Sequence, residues 1–132
     1  MKSFSLKGIN GSVMINYKDI DKSTKTLLND ICIRTKETTK NGIVSFTISD
    51  LTTLSSFIEK VIKRNKNIIY TLSPNIRFNI TNVNENIYEV CIEYDELNAL
   101  EKEINIASSY KFITTIKYIK ELSSEIEKYI KN

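Results

Sequence analysis

The chain has 132 residues, 41% of them hydrophobic and 27% charged, with 19 Lys+Arg against 16 Asp+Glu and a net charge of +3. These totals exclude a disordered polymer and predict one domain, 1–132, large enough to bury a core. The lack of any His excludes Ser-His-Asp and Cys-His catalysis and the usual zinc ligands.

Residues 3–7 (SFSLK) and 12–17 (SVMINY) read as two strands, with KGING as the turn between them. DKSTKTLLND reads as a polar connection that contains Leu27 and Leu28. In ICIRTKET, Ile31, Ile33 and Thr35 share one face of a strand, and Cys32 and Arg34 take the other. Asn41-Gly42 reads as a tight type I′ turn, because both residues accept the left-handed conformation. It leads into IVSFTIS, where Val44, Phe46 and Ile48 alternate with Ser45 and Thr47.

The apolar period then changes. Leu51, Leu54, Phe57, Ile58, Val61 and Ile62 fall on one face of a helix over about 50–64. Ser49 is the expected N-cap, Asp50 suits the first turn, and Lys60, Lys63 and Arg64 suit the last. Strand patterns return at NIIYTL (67–72), IRFNIT (76–81), IYEVCIEY (87–94) and INIASS (104–109). A closing helix over about 110–130 places Phe112, Ile116, Ile119, Leu122, Ile126, Tyr129 and Ile130 on one face. Glu121 and Glu125 are expected on a solvated side. The fold class is therefore α+β, with about eight mainly antiparallel strands and two amphipathic helices packed on the sheet, in the order ββββαββββα. Leu54, Ile58, Phe46, Val90, Ile92, Ile116 and Ile119 are the expected core.

Catalytic and ligand motifs are few. Cys32 and Cys91 have no C-x-x-C partner and read as reduced, unreactive strand thiols. Asp19, Asp21 and Asp30 take calcium-loop spacing, but Thr24 stands where that loop needs Gly, and the twelfth position lacks Glu. No cofactor, metal or enzymatic activity is expected. VIKRNKN (61–67) is basic, but as a helix C-terminus it matches the helix dipole, so no nucleic-acid partner is expected. MKSFSLKGIN has no continuous apolar run, and no stretch reaches the ~18 apolar residues of a membrane span, so a cytoplasmic protein is expected.

One charge asymmetry stands out. Residues 85–103 hold seven acidic residues and a single basic one, Lys102, in a chain that is basic as a whole. Strand alternation sends Tyr88, Val90, Ile92 and Tyr94 inward and Glu89 and Glu93 outward, ~7 Å apart on one face. Asp95, Glu96, Glu101 and Glu103 follow. A patch of one sign steers and orients a partner of the opposite sign. Glu89, Glu93, Asp95 and Glu96, with Glu101 and Glu103 at the rim, are therefore the candidate partner-binding residues.

Taken in order, the segments resemble the WapI-like immunity proteins of bacterial polymorphic-toxin systems. SDLTTLSSFI resembles a family segment through Asp50, Leu51, Leu54, Phe57 and Ile58. SPNIRF resembles a family turn and strand through Pro74, Asn75 and Phe78, with Ile76 in place of Leu and Ser73 in place of Glu. YEVCIEYDEL is similar to the strand that follows, and the tail to the closing helix. The chain lacks the family's Trp residues and its aromatic-proline ending. The resemblance implies a small cytoplasmic protein that binds and neutralises a cognate toxin C-terminal domain. The acidic face would suit a basic nuclease. The alternative is a non-catalytic adaptor or assembly domain of the same fold with an unrelated protein partner.

Overall fold

The computed structural model describes residues 2–95 and 108–131. Its elements follow the expected order: β1 (Ser3–Lys7), β2 (Gly11–Asp21), β3 (Thr26–Thr35), β4 (Thr39–Phe46), α1 (Ile48–Arg64), β5 (Ile68–Ser73), β6 (Ile76–Asn84), β7 (Ile87–Tyr94), β8 (Ser108–Thr115) and α2 (Ile116–Lys131). The strands form two antiparallel meanders, β1-β2-β3-β4 and β5-β6-β7-β8. Helix α1 joins the first sheet to the second, and α2 returns to pack beside β1 and α1.

The inward rows of both sheets and the apolar faces of both helices share one core. Leu54, Ile58, Phe46, Val90, Ile92 and Ile119 are buried as expected, and Ile116 is partly buried against them. Each such side chain contributes about 1.5–3 kcal/mol by leaving water. On β3 the inward row is Leu27, Asn29, Ile31 and Ile33. So TLLND is strand, not connection. The hairpin turn is confined to residues 22–25, with Lys25 at φ 57°. What disguised the strand is Asn29, a fully buried polar residue in the apolar row. Its side-chain amide donates to the Leu27 carbonyl, and its oxygen accepts from the Tyr129 hydroxyl of α2.

Glycine has a different use here from the expected one. Gly42 lies inside β4, opposite Ile31, and has no positive φ. The β3–β4 turn comes earlier, where the Thr35 N–H donates to the Thr38 carbonyl. A Cβ on Gly42 would strike the phenol of Tyr94, which reaches across from β7. Gly8 and Gly11 do flank the β1–β2 turn, but neither has a positive φ either. A Cβ on either would collide with Phe112 of β8. The three glycines thus clear space on the first sheet for aromatic rings from the second.

Two helix boundaries also differ. The α1 N-cap is Thr47, not Ser49. Its hydroxyl accepts from the Asp50 N–H, and the Asp50 carboxylate accepts from the Thr47 N–H, a reciprocal capping box. At the other end Asn65 turns the chain at φ 52°, and its side chain accepts from the Tyr88 hydroxyl. Helix α2 begins at Ile116 rather than near 110. Residues 110–115 are strand, with Phe112 and Thr114 buried and Lys111 exposed. Thr114 and Thr115 favour this, since β-branched residues suit a strand. The expected strand at 104–109 overlaps β8 only at Ser108 and Ser109, because 104–107 lie outside the described residues.

Candidate partner-binding face

β7 is an interior strand of the second sheet, paired with β6 and β8. Its alternation places Tyr88, Val90, Ile92 and Tyr94 in the core and Glu89, Cys91 and Glu93 on the outer face. Among the candidates, Glu89, Glu93 and Asp95 can be placed. Glu96, Glu101 and Glu103 lie outside the described residues.

The outer face is not of one sign. The cross-strand partner of Glu93 is Arg77 on β6, and their side chains approach to 3.6 Å. Lys111 on β8 stands opposite Cys91, diagonal to both glutamates. Two cations thus share this face with two anions. The sequence reading missed them because the partners of a strand come from register, not from neighbours in the chain. Glu89 faces Thr81 and Ile113, and among the described residues no cation pairs with it.

Asp95 follows the last residue of β7. Its N–H donates to the Asn75 carbonyl at 3.0 Å, which ties the strand end to the β5–β6 turn. Its Oδ2 is shut away from solvent and has no hydrogen-bond partner among the described residues. A buried oxygen without a donor costs about 1–3 kcal/mol, more if charged. Asn75 belongs to the SPNIRF segment. Its side-chain amide reaches the Ile43 carbonyl at 3.2 Å, and the Tyr94 hydroxyl meets the same residue at 3.0 Å. The acidic strand end is therefore fixed to both sheets.

The remaining chemistry-bearing residues lie elsewhere. Cys91 is half-buried and free, and burial pushes its thiol up. Such a thiol holds little thiolate at neutral pH, which suits an unreactive residue. Asp19 and Asp21 line an open depression at the β2–β3 hairpin. The Asp21 carboxylate accepts from the Ser23 hydroxyl and from the N–H groups of Ser23 and Thr24, which hold it below the usual carboxylate range. Asp19 accepts from the Ile20 N–H. Asp30 lies on β3, 3.9 Å from Lys18, away from any metal-binding trio among the described residues. The basic segment after Val61 ends α1 as expected, with Lys63 paired to Glu59 at 2.8 Å. No helix among the described residues is long and apolar enough to cross a membrane.

No protein-family model matches the chain, and comparison with curated proteins finds no match.

Proposed function

We propose that this protein is a cytoplasmic immunity protein that binds and neutralises a cognate bacterial toxin C-terminal domain, a basic nuclease, and performs no catalysis itself. The observation that carries the reading is the outer face of β7, where Glu89 is exposed and no cation among the described residues pairs with it. An exposed carboxylate without a cation adds little to the fold, whereas a partner's Lys or Arg would pair with it. Nucleases hold phosphate with cationic side chains, so an acidic projection can occupy the same cleft. The resemblance of the 49–58 and 73–78 segments to the WapI-like family supports the same reading. So does the lack of any His.

Arg77 and Lys111 refine where contact would occur. They neutralise the middle of the face and leave Asp95, with Glu96 next in sequence, as its acidic limit. Co-expression with the toxin domain encoded beside the gene, scored by growth, tests the reading. Growth restored by the wild-type chain and lost with Asp95→Lys is the expected result. Protection undiminished by Asp95→Lys together with Glu89→Lys would place the contact elsewhere. No protection by the wild-type chain would remove the proposed function.

A further inference from the structure

Several carboxylates on the surface already have partners. Glu125, expected in water, accepts from the Ser5 N–H of β1 at 2.8 Å. Glu59 pairs with Lys63 at 2.8 Å, and Glu93 with Arg77 at 3.6 Å. Glu89 is different. It is exposed, and among the described residues it has neither a hydrogen bond nor an ion pair.

Its surroundings differ as well. On the outer face of the second sheet, Ile113 of β8 and Thr81 of β6 stand opposite it, and Ile87 and Cys91 are its neighbours along β7. Val83 occupies the bulge of β6 beside Ile87. Next to β8, the Ile9 N–H donates to the Ile113 carbonyl at 2.8 Å. Ile9, Val83 and Ile87 are exposed, and Ile113 is partly so. The charged residues Arg77, Glu93 and Lys111 lie toward the Cys91 side. One half of the face is therefore an apolar patch with a lone carboxylate in it. Single exposed apolar side chains are ordinary, but contiguous ones mark interaction sites.

The two features together select an occupant. Whatever covers the isoleucines also covers Glu89, and a carboxylate shut from water without a counter-charge is costly. A second copy docked over this half would set Glu89 against Glu89. Nucleic acid and anionic lipid would meet it with the same sign of charge. A protein surface with a cationic side chain ringed by apolar ones fits both features, because the ring buries area and strengthens the ion pair by excluding water. Resting on the toxin contact proposed above, we infer that the partner seats an Arg or Lys on Glu89 and packs apolar side chains on Ile87 and Ile113. Glu89 then discriminates against an apolar surface that lacks the cation, while the isoleucines hold the one that has it.

Association and dissociation rates of the full chain with the toxin domain of the co-expression test, measured separately, decide this. Ile87→Thr with Ile113→Thr keeps charge and β-branching. It should quicken dissociation at least tenfold and leave the association rate and its salt slope unchanged, with circular dichroism as in the wild type. Ile87→Thr alone, at an exposed position, should quicken dissociation at least threefold even if the double variant folds poorly. Glu89→Gln should quicken dissociation at least tenfold in the wild type but less than threefold beside Ile87→Thr, because water then reaches the pair. Dissociation unchanged by the threonines in a folded chain overturns the inference while the toxin contact stands. So does a Glu89→Gln effect equal in both backgrounds. A dimer of the chain alone that Ile87→Thr disperses also overturns it, since a second copy would then cover the patch. A wild-type chain that does not bind the toxin domain removes the proposed function, and the inference with it.

Discussion

Asn29 and Asp95 both hide polar side-chain atoms from water, one in each half of the molecule, and the fold treats them in opposite ways. Asn29, in the first sheet, has its oxygen met by the Tyr129 hydroxyl and its amide by a carbonyl. Asp95, at the end of β7 in the second, keeps a carboxylate oxygen without a donor among the described residues. The contrast separates a polar group whose partners specify packing from one that the fold buries at a cost. Buried polar groups that serve the fold are satisfied by it.

The comparison requires the two halves to share one core. Leu54→Ala on α1 and Ile92→Ala on β7 should each cost on the order of 2–5 kcal/mol, read by urea unfolding. A cost near zero for both would mean that the two sheets do not stabilise each other. Gly42→Ala should cost about 1–3 kcal/mol by forcing Tyr94 off the first sheet. Adding Tyr94→Phe should recover part of that loss, because it removes the hydroxyl that the new methyl strikes. Simple additivity would show that the two sites are not in contact.

Tyr129→Phe should cost about 1–3 kcal/mol by leaving the Asn29 oxygen bare. The same pair sets a pH dependence. Burial pushes the Tyr129 phenol up to about 12 from 10.0. The unfolded chain therefore releases this proton first, and stability falls as pH rises between about 10 and 12. Below 10 this contribution is intact. Urea unfolding across that range should show a shallower decline in Tyr129→Phe, and an identical decline would refute the assignment. The smallest effect on stability belongs to Asp95. Asp95→Asn, which puts an uncharged amide where the carboxylate stands, should keep stability within about 1 kcal/mol of the wild type or raise it. A loss as large as that of Tyr129→Phe would make Asp95 structural after all.

Periodicity made much of this legible. The ββββαββββα order and most core positions follow from alternation on β4, β6 and β7 and from the apolar stripes of the helices. Reading failed where a residue did two things. Asn29 hid β3 because a polar residue occupied a core register. Gly42 resembled a turn because a glycine chosen for the room it leaves looks like one chosen for its φ. Phe112 fitted the helical stripe of α2, although it belongs to β8. For the acidic face, β7 alternation correctly separated Glu89 and Glu93 from the core. It could not reveal Arg77 or Lys111, which arrive by cross-strand register. Nor could it reveal that the buried Asp95 Oδ2 has no donor among the described residues, which is a property of packing alone.

The central claim is that the end of β7 is a docking point for a basic protein. It is tested most directly by the association rate of the chain with the proposed toxin domain as a function of salt. Glu89→Lys with Asp95→Asn leaves the Arg77–Glu93 pair intact and should keep the fold. The account predicts association about tenfold slower at low salt and a much flatter salt dependence, since both terms come from charge at that end. An unchanged rate and an unchanged salt slope in a folded variant would contradict it.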